Sequence, residues 1–318
     1  MNRLDLVSLG ECLLEFSLKE QNGKLLAFRS LGSSSFNPLV TAARLGASVG
    51  YIARFGKDAL GRYLLNFLQK EKIDISQIRL VEGFNALYFI LRLPEGEREF
   101  LYYRKGSAGS TLCPDDIDEE YIKKTKIIHS TGTTQAISLS SRKAVYKAFS
   151  VAWEAGINVS FDPNLRLGLW NIEDARDALN EILPFIDILL PALREAQLLF
   201  KLEEEKEIIE YLWRQGVRIV VLKKGAAGVT VGWGNSIVTL PALYIEPVDT
   251  TGAGDAFDGA FLYGLLQGYS PFEAAKLGNI VGALMIKGFG AISSLPDCKE
   301  VFSLFEQIRN IDNDKGRS

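Results

Sequence analysis

The residues best suited to chemistry lie in one segment, Asp249–Phe257, which reads DTTGAGDAF. Gly252 and Gly254 lack a Cβ, so the backbone N–H groups there and at Ala253 can approach an anion closely. The segment leads into a predicted helix, and the positive end of a helix dipole favours negative charge at the same place. Asp255 lies at that helix start, where an ionised carboxylate can take a proton from a substrate hydroxyl. The segment therefore predicts an anion-binding turn beside a general base.

The same segment has a plainer interpretation as a structural turn. A lone GxGD string is more often a glycine-rich turn whose aspartate only caps the helix, but all nine residues here agree with an anion-binding turn. Two common nucleotide-binding motifs are excluded. GxxxxGK followed by Ser or Thr does not occur, and no third glycine follows Gly254 at the dinucleotide-binding spacing.

His129 is the one histidine among 318 residues, and the three cysteines, Cys12, Cys113 and Cys298, lie far apart in the sequence. This excludes a metal site built from several histidines and disfavours a zinc site or a disulfide framework. Proton chemistry must then rest on a carboxylate or a lysine, and His129 is expected to be structural. Thirty-six Lys and Arg against 39 Asp and Glu give a net charge of −3, which offers no footprint for nucleic acid or an anionic membrane. A small-molecule partner is favoured.

Strands and helices alternate along most of the chain, which predicts an α/β fold with a mostly parallel sheet and helices on both faces. The predicted strands are Leu4–Leu9, Ser48–Phe55, Ile127–Ser130, Asn158–Phe161, Ile186–Leu190 and Arg218–Leu222, with a hairpin over Gly228–Leu240. The predicted helices are Leu39–Leu45, Ala59–Glu71, Leu139–Glu154, Ile172–Leu183, Glu195–Phe200, Glu204–Arg214, Ala256–Gly268 and Pro271–Lys287. Asn37 is expected to cap the first helix, with Pro38 in its first turn and Gly46 ending it.

Two stretches interrupt this alternation. Residues 12–31 and 86–104 predict strands joined by turns at Gln21–Gly23 and Pro94–Glu97. We expect them to form a small β-sheet lid inserted in a single domain of residues 1–318, although an extension of the main sheet stays open as the alternative.

The ends of the chain carry no predicted targeting or membrane segment. Met1–Phe16 lacks the cationic and apolar regions of a signal peptide, and the apolar stretch Ile280–Ile286 is far shorter than the roughly 20 residues of a membrane span. We therefore expect a soluble, cytoplasmic protein with no membrane partner, and a frayed tail over Asn310–Ser318.

Residues 249–257, together with GSSSFN at 32–37, ARLG at 43–46 and GKDALG at 56–61, resemble the ribokinase-like sugar kinases, also called the phosphofructokinase B family. The resemblance covers nearly the whole chain. It implies a ribokinase-like three-layer fold with a β-sheet lid, ATP as phosphoryl donor and Mg²⁺. It also implies that Asp255 is the base and that the backbone of Gly252, Ala253 and Gly254 forms the anion hole. Family members often bind a monovalent cation near the segment that matches Asp249 and Thr251.

The same resemblance implies a nucleotide site. Lys223–Gly228, with the sequence KKGAAG, matches the glycine-containing loop that lines this site, so Lys223, Gly225 and Gly228 are implied contacts together with Gly252 and Gly254. Asn279 matches the adenine contact, and Asn164 is implied near the ATP phosphates. A plain β turn at 223–228 and an ordinary helix polar residue at 279 are the alternatives.

Two arginines point to the sugar. Arg104 ends a predicted lid strand and Arg166 follows a strand of the main sheet, so both side chains can reach the cleft. Such guanidinium groups favour a sugar acid as the substrate. Arg pairs bidentately with a carboxylate, and hydrogen bonds to charged groups contribute about 1.5 to 3 kcal/mol. A surface position or a structural ion pair is the alternative for each arginine.

Residues 102–110, 129–138 and 162–170 resemble 2-keto-3-deoxygluconate kinases, most closely the archaeal type. This implies phosphorylation of the sugar acid at its 6-hydroxyl, with the C4 epimer 2-keto-3-deoxygalactonate left open, and a homo-oligomer through the lid. The implied substrate contacts are Ser33, Asn37, Tyr88, Tyr103, Arg104, Arg166 and Asp255.

The chain departs from the family pattern at three places. Ser33 replaces the usual second glycine before Asn37, and the Asn-x-x-Glu metal-water motif keeps only Glu195, because its first position is Ala192. Residues 287–291 carry no acidic residue where some archaeal relatives have one. The metal ligands thus stay unassigned. A neutral-sugar kinase such as a fructokinase and a nucleotide-binding paralogue without turnover are the alternative functions.

Overall fold

The structure is a computed structural model that describes residues 3–21, 24–92 and 98–315. Strands and helices are numbered in chain order. Within these residues a large sheet runs in the order β13 (Ser236–Leu240), β12 (Val229–Trp233), β11 (Ile219–Lys223), β10 (Ile188–Leu189), β9 (Asn158–Asp162), β8 (Thr125–Thr131), β1 (Leu4–Leu9), β4 (Val49–Gly56), β5 (Ile78–Val81). Neighbours from β5 to β11 pair in parallel, and only the β11–β12 and β12–β13 pairs are antiparallel. The predicted mostly parallel sheet is confirmed.

Helices cover both faces of this sheet because its strands are apolar on both sides. Leu6 and Val7 are both fully buried, and they belong to hydrophobic clusters on opposite faces. One layer contains α1 (Phe36–Leu45), α2 (Ala59–Lys70), α9 (Ala253–Leu266), α10 (Pro271–Met285) and α11 (Cys298–Lys315). The other contains α3 (Glu119–Ile122), α4 (Gly132–Ile137), α5 (Leu139–Glu154), α6 (Ile172–Ile182), α7 (Leu193–Phe200) and α8 (Glu205–Arg214). The result is a three-layer α/β body.

A separate sheet of four strands has the order β3 (Lys24–Gly32), β2 (Leu13–Gln21), β6 (Leu87–Arg92) and β7 (Arg98–Tyr103). Each hairpin is antiparallel, and the two hairpins join through the parallel pair β2–β6. The alternative that these strands extend the main sheet is therefore wrong. The predicted turn residues 22–23 and 94–97 lie outside the described part of the chain.

Two predicted helix starts need correction, and the C-terminal part of the chain contains a helix that was not predicted. Helix α1 begins at Phe36 after Ser35, so Asn37 lies inside its first turn and does not cap it, whereas Gly46 ends it in the left-handed conformation at φ 112° as predicted. Helix α9 begins at Ala253, three residues earlier than predicted. Helix α11 was not predicted, and it extends through part of the tail that was expected to fray.

Within the described ranges, no helix combines the length and the apolar character needed to cross a membrane. Cys12, Cys113 and Cys298 are free thiols.

Candidate active site

The glycine-rich turn at the start of α9 has the conformation that its sequence demands. Gly252 is left-handed, with φ 79°, and a Cβ there would lie 2.7 Å from the Cβ of Ala291. The amides of Gly254 and Asp255 fall in the first helical turn, where no intrahelical acceptor exists. A Cβ on Gly254 would lie 3.7 Å from Nζ of Lys223, so a cation is close to these donors. The turn can therefore bind an anion.

Asp255 is buried and held by two amide side chains. Nδ2 of Asn37 donates to Oδ2 at 2.7 Å, and Nδ2 of Asn164 donates to Oδ1 at 3.2 Å. Burial, and then the nearby charge of Asp162, raise the pKa of Asp255, while the hydrogen bond from Asn37 lowers it. The carboxylate is thus aimed by neutral donors and has a higher proton affinity than an ordinary aspartate, which suits a general base.

Asn37 joins this carboxylate to the segment around Ser33. Oδ1 of Asn37 accepts the amide N–H of Ser33 at 3.3 Å, and Oγ of Ser33 donates to the carbonyl of Glu11. Oγ of Ser33 also accepts the N–H of Phe36 at 3.2 Å. The serine that replaces the usual glycine is therefore turned toward backbone groups.

Lys223 lies between two buried carboxylates. Its Nζ is 3.1 Å from Oδ2 of Asp162 and 2.8 Å from Oδ2 of Asp258. Burial disfavours the ammonium, but attraction to the two aspartates outweighs it and raises the pKa of Lys223. Asp258 was not predicted as a site residue, although it lies three positions after Asp255 and hence on the same helical face.

Asn164 links the lysine cluster to the base. It is left-handed, with φ 38°, and its N–H donates to Oδ1 of Asp162 at 2.9 Å while its side chain donates to Asp255. A continuous path of contacts therefore runs from Lys223 through Asp162 and Asn164 to Asp255.

A cleft of about 470 Å³ opens above Asp255, between the body and the small sheet. The predicted site residues that line it are Ser33, Asn37, Tyr88, Arg104, Asn164, Arg166, Gly252 and Asp255. Tyr103 does not line the cleft, and the side chain that does is Tyr102. The reason is that successive residues of a strand point to opposite faces of the sheet. Tyr103 is one residue away from Tyr102 and therefore points to the other face.

The small sheet contributes a wall of paired groups to the cleft. Arg104 is nine-tenths buried and forms an ion pair with the carboxylate of Glu11. The hydroxyl of Tyr88 donates to the buried carboxylate of Glu15, and the ring of Tyr88 stacks on that of Tyr102 at 5.9 Å. The structural ion pair, left open as the alternative for Arg104, is therefore present.

Arg166 differs from Arg104 in exposure. About half of its side chain is exposed, at 52%, and its Nη1 is 3.8 Å from Oε1 of Glu195. Glu195 accepts the N–H of Leu165 at 3.0 Å and that of Ala192 at 3.2 Å. Burial, and then the charge of Asp162, raise the pKa of Glu195 to about 7. Glu195 thus holds the backbone of the segment that carries Arg166. It also holds the backbone at Ala192, the position where the chain departs from the family motif.

Three residues predicted for the nucleotide site, Gly225, Gly228 and Asn279, do not line this cleft. Gly225 and Gly228 are left-handed, at φ 58° and φ 90°, and a side chain on Gly228 would collide with the carbonyl of Leu240. Nδ2 of Asn279 donates to the carbonyl of Pro241 at 3.1 Å. The structure thus brings Gly228 and Asn279 to the same short segment after β13, on the side of β11 that ends in Lys223.

The donor set fits an Mg²⁺ that arrives with phosphate groups. No group of three or more His, Cys, Asp or Glu within the described ranges could hold a metal ion. Mg²⁺ typically keeps several waters and binds through one or two carboxylates plus substrate phosphates. Asp162 and Glu195 are close enough to perturb each other and would hold the water ligands of such an ion. When bound, the ion would neutralise charge on the phosphate oxygens.

The single histidine takes no part in this arrangement. His129 is fully buried in β8, where Nδ1 lies 3.1 Å from Oγ of Ser160. Burial lowers the pKa of His129 to about 4, so the ring is neutral at physiological pH.

The fold and this site define the class of ribokinase-like sugar kinases. A model of the pfkB family of carbohydrate kinases matches residues 3–298. The chain therefore belongs to the pfkB carbohydrate kinase family, and the expected family resemblance is confirmed.

Several curated relatives align over almost the whole chain. The 2-dehydro-3-deoxygluconokinase of Bacillus subtilis (strain 168) is 30% identical and covers 99% of each chain. The enzyme of that name from Thermoproteus tenax is 33% identical over 96% of this chain and 95% of its own. Fructokinase-1 of Zea mays is 32% identical over 95% of this chain and 97% of its own.

Solved structures agree on the fold. A PfkB protein from Polaromonas sp. JS666 has a TM-score of 0.85 at 30% identity and covers 94% of this chain and 99% of its own. A candidate ribokinase II from E. coli in complex with ATP and Mg²⁺ has a TM-score of 0.87 at 26% identity and covers 96% of this chain and 99% of its own. The predicted ribokinase-like fold is confirmed.

Proposed function

We propose that this protein transfers a phosphoryl group from ATP to the 6-hydroxyl of 2-keto-3-deoxygluconate, the sugar acid also called 2-dehydro-3-deoxygluconate. The observation that carries the proposal is the placement of Asp255 at the head of α9, held by Asn37 and Asn164 and facing the cleft beside the Gly252–Gly254 turn. A carboxylate next to an anion-binding turn supports transfer of a phosphoryl group to a hydroxyl.

In the proposed reaction, Asp255 accepts the proton of the 6-hydroxyl while the oxygen of that hydroxyl forms a bond to the γ-phosphorus. The bond from the γ-phosphorus to the bridging oxygen breaks, and ADP leaves with the electron pair. The N–H of Ala253 already donates to the carbonyl of Thr250, so the amides of Gly254 and Asp255 are proposed to stabilise charge on the transferring group. Nζ of Lys223 lies 3.7 Å from the position of a Cβ on Gly254, close to these donors. Positioning and electrostatics then do most of the catalysis, so no histidine is needed.

The choice of a sugar acid rests on Arg104 and Arg166, which both line the cleft, and on the two deoxygluconokinase relatives. A planar guanidinium matches a carboxylate with two parallel hydrogen bonds. Ser33, Asn37 and Tyr88 line the same cleft and are proposed to contact the sugar hydroxyls. Tyr102, which lines the cleft where Tyr103 does not, is proposed as the further tyrosine contact.

A neutral-sugar kinase, such as a fructokinase, is the second candidate. Arg104 is already paired with Glu11, so part of its charge is cancelled before any substrate binds. The maize fructokinase is also about as similar to this chain as the deoxygluconokinases are. A neutral sugar has only hydroxyl groups, so it would need hydrogen bonds but no free positive charge from the small-sheet side of the cleft.

The nucleotide is proposed to lie along Lys223, Gly225 and Gly228, with its base near Asn279 and its phosphates at the Gly252–Gly254 turn. The proposal is supported by the approach of both Gly228 and Asn279 to residues 240–241, which puts the two residues close together. A monovalent cation at Asp249 and Thr251 stays a prediction.

The homo-oligomer predicted through the small sheet also stays a prediction. On this sheet Tyr103 is 58% exposed and Leu25 is 68% exposed, and such a contact would cover both side chains. The mass in solution, measured by light scattering, tests it.

The experiment that tests the function is an assay of ADP release with ATP, Mg²⁺ and separate sugars and sugar acids. Release with 2-keto-3-deoxygluconate, and a 6-phosphate product identified by NMR, are expected. Release with fructose alone would establish the second candidate. Absence of release with every sugar, from a folded sample that binds ATP, would contradict both and favour a paralogue without turnover.

A further inference from the structure

Glu11 is a buried carboxylate with a single charged neighbour. It follows β1, its side chain is only 3% exposed, and it pairs with the guanidinium of Arg104. Among the described residues no other charged side chain pairs with Glu11, and its carboxylate oxygens have no further hydrogen-bond partner. The sequence interpretation assigned no role to this residue.

Arg104 lies between Glu11 and the cleft. Arg104 lines the cleft and Glu11 does not, so Glu11 is behind the guanidinium as seen by a substrate. Nε of Arg104 is buried and has no hydrogen-bond partner within the described ranges. One N–H edge of the guanidinium therefore faces a carboxylate, while another N–H is unused.

The position of Glu11 is built into the fold. A Cβ on Gly109 would lie 2.9 Å from Cβ of Glu11 and 3.2 Å from its Oε2, so Gly109 leaves the space that the carboxylate fills. The carbonyl of Glu11 accepts hydrogen bonds from Ser33 and from Ser35, the second at 3.4 Å. Glu11 is thus fixed to the segment that begins α1.

We propose that Glu11 is a specificity-determining positioning residue that neutralises Arg104 and thereby limits the preference of the cleft for acidic over neutral sugars. The inference rests on the proposed function only in that the sugar is taken to contact Arg104. A substrate carboxylate must compete with Glu11 for the guanidinium, whereas a hydroxyl needs only one of its N–H groups. Without the charge of Glu11, the guanidinium of Arg104 would face the sugar with a positive charge that its partner no longer offsets.

The test is the ratio of kcat/KM for 2-keto-3-deoxygluconate to kcat/KM for fructose. Glu11→Gln keeps the shape of the side chain and an acceptor for Arg104 but removes the charge, so we expect this ratio to rise by about tenfold, which corresponds to about 1.4 kcal/mol. Glu181→Gln is the matched control, because Glu181 pairs with Arg142 at 2.9 Å and neither residue lines the cleft. The control should leave the ratio unchanged.

A double-mutant cycle tests whether the effect acts through Arg104. In Arg104→Gln the buried Glu11 loses its counter-ion and should take up a proton, since burial already raises the pKa of Glu11. We therefore expect Glu11→Gln to change the ratio in the wild-type background but not in the Arg104→Gln background. An equal change in both backgrounds would overturn the inference.

A merely structural role for Glu11 predicts something else. It would lower kcat/KM for both sugars by the same factor, together with the temperature of unfolding, and leave their ratio constant. If Glu11→Gln does not fold, Glu11→Asp retains the charge but ends one methylene short of Arg104, and it should raise the ratio by a smaller factor. An unchanged ratio in the folded variant would contradict the inference.

Failure of the proposed function is a separate outcome. If wild-type protein phosphorylates only fructose, the sugar acid is used as an inhibitor, and its inhibition constant replaces kcat/KM in the ratio. The inhibition constant of the sugar acid should then be lower in Glu11→Gln than in the wild-type protein. Wild-type inactivity with the acid would thus contradict the proposed substrate, while an unchanged inhibition constant would contradict the role of Glu11.

Discussion

The two ends of the cleft treat charge in different ways. At the body end, Asp255 is held by the neutral amides of Asn37 and Asn164, so its own charge stays available to a substrate. At the small-sheet end, Arg104 faces Glu11 and Tyr88 faces Glu15, so charge and hydrogen-bonding capacity are largely satisfied within the wall. We infer that the body end determines the reaction and the small sheet determines which sugar undergoes it.

The largest expected effect is at the body end. Asp255→Asn should lower kcat by about 10² to 10⁴ while ATP binding is largely retained, because the amide keeps the shape of the side chain but cannot accept the proton. Steady-state kinetics and calorimetric titration with ATP measure the two quantities. Asp177→Asn, on an exposed position of α6, is the control. Normal turnover in Asp255→Asn would show that the body end does not determine the reaction.

The next largest effect concerns the cation of the body end. Lys223→Met leaves Asp162 and Asp258 buried without their counter-ion, which should lower the free energy of unfolding by roughly 3 to 5 kcal/mol. KM for ATP should rise as well. Urea unfolding checks the first expectation, with Lys126→Met as control, since Lys126 pairs with Asp5 near the surface and such pairs contribute at most about 1 kcal/mol. Equal losses in both variants would contradict the role of Lys223.

Arg166, which the body contributes to the cleft after β9, should have a smaller effect. Arg166 is half exposed, so solvent screens its charge, and Arg166→Ala should raise KM for the sugar acid by about tenfold with little change in kcat. KM for ATP should stay constant. Arg142→Ala, away from the cleft, serves for comparison. A change in kcat with constant KM would instead place Arg166 at the reacting end.

The smallest expected effect is a shift in pH dependence. The hydrogen bond from Asn37 favours the ionised form of Asp255 and lowers its pKa, so Asn37→Ala should raise that pKa. Because the base must be deprotonated, the acid limb of the kcat/KM profile should move to higher pH. In Asn171→Ala, which removes the cap of α6, the limb should not move. A shift toward lower pH would contradict the assignment of Asp255 as the base.

The body end was largely predictable from sequence because its signals are local. The Gly252–Asp255 string predicts a turn followed by a helix from its own residue types, although the helix begins three residues earlier than predicted and Gly252 also leaves room for the distant Ala291. The helix boundary at Asn37 was wrong because a possible cap residue was found in the sequence, whereas its amide is used across the fold by Asp255. A local pattern cannot show such a partner.

The small-sheet end was less predictable because it depends on register and on distant contacts. A shift of one residue exchanges the two faces of a strand. The sequence therefore predicts Tyr103 as the cleft residue, whereas Tyr102 lines the cleft. The sequence does not identify Glu11, because its partner Arg104 lies directly after β7, far along the chain. The only signal was an acidic residue directly after a buried strand, and this does not identify a partner.

The parallel pairing of β2 with β6 also has a consequence for the order of folding. Leu14 pairs with Leu87, so the small sheet joins two hairpins that are separated along the chain by α1, β4, α2 and β5. Such non-local pairing costs chain entropy before it gains contacts and therefore forms late. The wall that we propose selects the sugar is expected to be among the last parts of the cleft to assemble, and hydrogen exchange during refolding should show its strands protected after β1 and β4.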